Sequence, residues 1–291
     1  MPLPLTPSSH KTLTSPNSPQ TSLNLASTPL ATPTPTQPTQ ILTLTIRPSA
    51  IIEDSTTPDG KIWGEALDII QDWEGFRAVY WGRRVEEDDC EKVEVVVFRE
   101  ELKQHYAFLS SSQFDLLGSL LVPLSPTATA SASPSKVRVL HAHLQNFTRN
   151  ARTLYGAPVT GTAIYAATSI HGWEKAWALW TTIVPGVKGC LGCTGGWIVE
   201  SLPDGEGEGD GDVVGGDKGG KVREYVVYVG WESVKDHDVY HHTKDFARKR
   251  VVLSLHNSGW RGYGHVRFVG RRVKEGSNEN TGTDTKEKGR L

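Results

Sequence analysis

The sequence predicts an α+β fold: two tandem ferredoxin-like units, each βαββαβ, closed on one another as a single pseudo-twofold barrel. Three observations point there. The stretch FREELKQHYAFLSSSQF, Phe98 to Phe114, aligns without a gap to GWESVKDHDVYHHTKDF, Gly230 to Phe246, with Glu100/Glu232, Lys103/Lys235, His105/His237 and Phe114/Phe246 identical. Strand and helix patterns around that stretch follow the same order in both halves, as a chain written twice would have it. Equivalent first helices, marked by Trp63 and Trp173, are closer in sequence than the aligned second helices, so the second half must hold an insertion. The Gly- and Asp-rich run PDGEGEGDGDVVGGDKGGK supplies it, since such text makes a surface loop.

Each element has its own signal. ILTLTIRP from Ile41 alternates apolar and polar residues, the period of a half-buried strand. Ile62, Ala66, Ile69, Ile70 and Trp73 recur at helical spacing, and Gly75 closes that helix. FRAVYWGRRV and KVEVVVF follow as strands around the acidic turn Glu86 to Glu91. A second helix spans about Glu100 to Leu121, and KVRVLHAHL is the fourth strand. The second half gives TGTAIYAA, then the helix HGWEKAWALWTTIV with Trp173, Trp177 and Trp180 on one face, then the strands VKGCLGC to GGWIVES and REYVVYVGW. A helix from Ser233 to about Leu255 and the strand GYGHVRFVG complete it.

One such unit is physically incomplete. Its helices cover one sheet face, while strands such as VEVVVF and YVVYV leave an apolar opposite face that a second copy can cover. The competing arrangement is two separate ferredoxin-like domains joined near residues 144–158. The expected organisation is a disordered Ser/Thr/Pro-rich leader over 1–40, a first repeat over 41–143, a linker over 144–158, a second repeat over 159–270 with a flexible loop at 203–221, and a polar tail over 271–291.

Composition excludes several functions. A net charge of −2 and a pI near 6.6 argue against nucleic acid as partner. No apolar run approaches the roughly 20 residues that span a membrane, and the leader lacks the features of an address signal, so no membrane partner is expected. Three cysteines, Cys90, Cys190 and Cys193, are too few for a disulfide framework and suit a reducing, cytoplasmic compartment. The Gly-rich insertion is too acidic to cradle phosphate and leads into a strand. Nucleophile-elbow and dinucleotide motifs are missing from the sequence.

The run YVGWESVKDHDVYHHTKDF, Tyr228 to Phe246, resembles the strand-to-helix segment of the dimeric α/β-barrel superfamily, and within it the antibiotic-biosynthesis-monooxygenase (ABM) domains. The matching positions are Trp231 at the strand end, Glu232, His237, His241 or His242 on the helix, and Phe246 after it. The first half departs from that pattern: Arg99 stands for Trp231, and Leu109 and Ser110 for His241 and His242. Tandem single-chain forms are similar in outline to fungal proteins of the family. The resemblance implies a cofactor-independent monooxygenase acting on or binding a small aromatic or hydrophobic molecule. Other members degrade haem or have no demonstrated catalysis, so a non-catalytic ligand-binding or structural barrel is the alternative.

Such chemistry needs a base, hydrogen-bond donors and aromatic walls. His237 and His241, four apart on one helix, are the expected catalytic pair; Trp231, Tyr228, Trp173, Trp177 and His105 are the expected substrate-binding residues. Against this stands a purely structural reading, with the histidines hydrogen-bonded at the helix edge and the tryptophans packed as core. The HDVYHH helix and Cys190-Leu-Gly-Cys193 have metal-like spacings without a complete ligand set, so no metal and no cofactor are expected. The chain is expected to be an intrachain pseudo-dimer and a monomer.

Overall fold

The computed structural model describes residues 28–126, 137–200 and 222–274. The first half runs β1 (Gln37–Thr45), α1 (Pro58–Asp72), β2 (Phe76–Arg84), β3 (Lys92–Arg99), α2 (Leu102–Leu109), α3 (Ser112–Leu121) and β4 (Arg138–Asn146). The second runs β5 (Val159–Ala167), α4 (Ile170–Ile183), β6 (Cys190–Ile198), β7 (Arg223–Trp231), α5 (Val234–His241), α6 (Lys244–Lys249), α7 (Val251–Ser254) and β8 (Asn257–Val273).

All eight strands form one closed antiparallel barrel in the order β1-β3-β2-β8-β5-β7-β6-β4. The halves are therefore not separate domains. Each four-stranded sheet would present two unpaired edges, and the other half satisfies both. β2 pairs with β8 from Ala78↔Val273 to Arg84↔Val266, and β4 with β6 from Ala142↔Ile198 to Asn146↔Thr194.

Strand alternation sorts the apolar side chains into three layers. Ile41, Tyr80, Val96, Leu140, Ile164, Ile198, Val226 and Phe268, one from each strand, meet inside the barrel. The other faces pack under helices, with Trp63, Leu67 and Ile70 of α1 buried in the first half and Trp173, Trp177 and Trp180 of α4 in the second. Along β7 the parity places Val226 and Tyr228 in the barrel interior, and Val227, Val229 and Trp231 against the helices.

The second helix of each half is broken where continuity was expected. Ser111 Oγ donates to Phe108 O at 2.7 Å and accepts from Phe114 N at 3.3 Å; Thr243 Oγ1 donates to Tyr240 O at 2.7 Å and accepts from Phe246 N at 3.0 Å. A hydroxyl that bonds the preceding turn and caps the next one ends one helix and starts another. The aligned Ser111/Thr243 pair is thus a helix restart.

Strand ends also move outward from their expected positions. β1 begins at Gln37 rather than Ile41, and β8 begins at Asn257, before the expected GYGHVRFVG, because it pairs with β5 at one end and β2 at the other. Ahead of β1, Leu30 N donates to Phe147 O at 2.9 Å and Thr34 N to Asn146 O at 3.0 Å, so this part of the leader is tied to the end of β4. The leader's first 27 residues, the loop expected at 203–221 and the tail beyond 274 lie outside the described residues. Among the described residues no single helix is long and apolar enough to cross a membrane.

Candidate functional site

In the second half a cavity of about 980 Å³, partly open to solvent, lies between the helices and the sheet. Its aromatic walls come from Trp177 and Trp180 of α4, Trp231 at the end of β7, Tyr240 of α5, Phe246 of α6 and Tyr263 of β8. His237 and His241 line it too.

α5 is positioned at its start by Ser233, whose hydroxyl accepts from Asp236 N at 3.0 Å. From that start the helical period turns His237 and Tyr240 inward and leaves His241 half-buried. The His237 ring stacks on Trp231, with centroids 4.5 Å apart and planes at 20°. His241 meets His237 edge-on at 4.4 Å and lies on Phe246 at 4.4 Å.

Behind His237 runs a chain of polar groups. His237 Nδ1 is 2.7 Å from His265 Nε2, and His265 Nδ1 is 2.8 Å from Glu86 Oε1, which also accepts the His265 backbone N–H at 2.7 Å. Glu86 belongs to the first half, following β2, so the site is assembled from both halves. Burial pushes the His237 imidazole down to about 2, with the neighbouring His241 and His265 adding to the effect. His241 is lowered as well, chiefly by burial. Burial raises the Tyr240 and Tyr263 hydroxyls to about 12, which keeps both as protonated donors near neutral pH. The arrangement offers neutral imidazoles among largely apolar, aromatic walls.

Of the residues expected from sequence, His237, His241, Trp231 and Trp177 meet at this cavity, and three do not. Tyr228 points to the other side of β7, into the barrel, where its hydroxyl donates to Glu94 Oε1 at 2.8 Å. Strand parity separates it from its neighbour Val229. Trp173 is fully buried, packed between Tyr165 and Tyr225 and stacked beside Trp177 at 6.5 Å; the helical turn places it behind the wall. His105 is sealed in the first half, with Nε2 3.3 Å from Pro38 O. Among the described residues no three His, Cys, Asp or Glu side chains are placed to share a metal ion.

Sequence reasoning missed His265 and Glu86 as site members. A signal exists in the paired text: Val85-Glu86 and Val199-Glu200 each follow the second strand of a half, and His141 and His265 each lie on a fourth strand.

No protein-family model matches the chain, and no curated protein does. Solved structures do. An anthrone oxidase-like protein superposes with a TM-score of 0.51 at 12% identity, over 81% of this chain and 93% of that one. A protein of Lactobacillus acidophilus NCFM that carries a provisional monooxygenase assignment gives 0.46 at 12% identity, over 81% and 96%. A mutant chlorite dismutase of Candidatus Nitrospira defluvii gives 0.44 at 11% identity, over 81% and 93%. With its closed eight-stranded barrel and outer helices, the chain has the dimeric α/β-barrel fold, completed within a single polypeptide.

Proposed function

We propose that the protein is a cofactor-independent monooxygenase acting on a small polycyclic aromatic molecule bound in the second-half cavity. The observation that carries this reading is His237, buried yet lining an aromatic cavity, with its far nitrogen tied through His265 to a carboxylate. A phenol or an anthrone-type CH₂ would lie among Trp177, Trp180 and Trp231 and give a proton to His237 Nε2. The resulting carbanion is electron-rich enough to reduce oxygen directly. For an anthrone the balance closes without another reductant: the CH₂ carbon becomes C=O, one oxygen atom of O₂ enters the product, and the other leaves as water with both hydrogens. The substrate supplies all the electrons.

A buried imidazole that stays neutral is consistent with this use. It accepts a hydrogen bond from the substrate in the ground state, and it becomes cationic only when the substrate anion forms beside it as counter-ion. The reading includes a cytoplasmic monomer, supported by free thiols at Cys90, Cys190 and Cys193 and by two halves that already close the barrel between them.

Oxygen uptake with anthrone tests it. Wild type is expected to consume one O₂ per anthrone oxidised, and His237→Gln to be slower by about a hundredfold. Equal rates in the two overturn the reading. Saturable binding of anthrone without uptake would replace it with a ligand-binding barrel. A haem-dependent activity, with an absorption band lost in His237→Gln, would remove cofactor independence.

A further inference from the structure

The two halves carry the same chain of groups, and only one chain is continuous. Glu86 follows β2 and holds His265 of β8. Glu200 follows β6 and holds His141 of β4, accepting its backbone N–H at 2.8 Å and pairing with its Nδ1. Each carboxylate therefore crosses from its own half to the last strand of the other. In register, His265 faces Gly161 of β5, and His141 faces Gln40 of β1. His237 and His105 occupy aligned helix positions above these pairs.

The difference lies at the glycine. In the first half Gln40 Nε2 is 3.2 Å from His141 Nε2 and takes the place of a second histidine. His105 meets Pro38 O instead, and its Nδ1 is buried without a partner among the described residues. In the second half a Cβ on Gly161 would stand 3.1 Å from His237 Cε1 and 3.3 Å from His237 Nδ1. A side chain there would occupy the line along which His237 reaches His265. The backbone dihedral is not the reason for this glycine; the close approach of the imidazole is.

We propose that Glu86 and His265 are positioning residues that fix His237 as its Nδ1–H tautomer, with the Nε2 lone pair presented to the cavity, and that the absent side chain of Gly161 lets the three connect. A carboxylate has no proton to give, so the two N–H groups at Glu86 must come from His265. In the neutral imidazole His265 Nε2 is then an acceptor, and the only group bonded to it among the described residues, His237 Nδ1, must be the donor. The use of the lone pair as a base rests on the function proposed above. The tautomer does not.

The test is ¹⁵N NMR of the imidazoles in the full chain near neutral pH, which separates protonated from lone-pair nitrogens without turnover. In wild type, His237 is expected to show a protonated Nδ1 and an unprotonated Nε2. His265→Phe removes the acceptor, and Gly161→Gln recreates the first-half arrangement; each is expected to move the His237 proton to Nε2. His265→Gln restores an acceptor oxygen and should restore the Nδ1–H form. His141, held by Glu200 in the other half, reports in each variant whether the barrel is intact. A wild-type His237 protonated on Nε2 overturns the proposal, as does a tautomer indifferent to His265→Phe in a variant whose His141 signals are unchanged. An Nδ1–H tautomer with no oxygen uptake would sink the oxygenase reading alone; uptake with the opposite tautomer would sink the relay alone.

Discussion

The Tyr228 hydroxyl donates to Glu94 Oε1 at 2.8 Å inside the barrel, joining β7 of the second half to β3 of the first. Glu94 is 3% exposed, and burial raises its carboxyl above the usual range, opposed by the nearby Arg84 guanidinium. Tyr228→Phe removes one donor from a buried carboxylate and should cost about 1–2 kcal/mol. The urea midpoint is expected to fall at unchanged slope. Anthrone affinity should stay the same, because the side chain lies across the sheet from the cavity. A tenfold weaker affinity would show that the barrel interior and the cavity act as one site.

His237 and His241 line the same cavity, but they are held differently. His237 has a partner behind it, while His241 is fixed by ring contacts to His237 and Phe246. His241→Leu installs the residue found at the aligned position, Leu109. Oxygen uptake should fall less than about tenfold, mainly through KM, against about a hundredfold in kcat for His237→Gln. The reverse pattern would transfer the base role to His241.

Much of this fold was legible because strand and helix periods are local and because the aligned segments share Glu100/Glu232, Lys103/Lys235, His105/His237 and Phe114/Phe246; the helix break at Ser111 and Thr243 was not. Trp231 and His237 were legible for the same reason, as departures from Arg99 and as a repeated His105. Arg99 shows what the departure does. Its guanidinium lies over the Phe108 ring and donates to Ile70 O, Trp73 O and Glu74 O at the end of α1. Tyr228 was misplaced because one residue of strand phase decides which face a side chain takes. His265 and Glu86 are separated by 179 positions and meet only because the barrel closes between β2 and β8. No local pattern announces a pairing made by closure.

Stability should fall on mild acidification. Burial depresses His237 to about 2 and His105 to about 3, each below the roughly 6.5 of an unfolded histidine. Between those values the unfolded chain binds protons that the folded chain does not, so unfolding free energy rises with pH. The stabilisation is complete above about pH 6.5 and declines as pH drops, by up to about 1.4 kcal/mol per unit for each histidine. The groups facing them are His241 and His265 for His237, and Arg99 and His141 for His105. Urea titrations between about pH 6.5 and 5, above the range where ordinary carboxylates titrate, should show this slope, and His105→Gln should reduce it. A flat profile in wild type would mean that both rings are solvated.

The restart hydroxyls give a matched pair of variants. Ser111 caps α3 in the first half, and Thr243 caps α6, whose Phe246 lies on His241 and walls the cavity. Removing either hydroxyl leaves a helix N–H without its acceptor, at a cost of about 1 kcal/mol. Ser111→Ala and Thr243→Ala should therefore lower the unfolding midpoint by similar amounts. Only Thr243→Ala should also weaken anthrone binding, because loosening the first turn of α6 releases Phe246 from its place against His241. Equal loss of binding in both variants would mean that the effect is global destabilisation and that Phe246 does not shape the cavity.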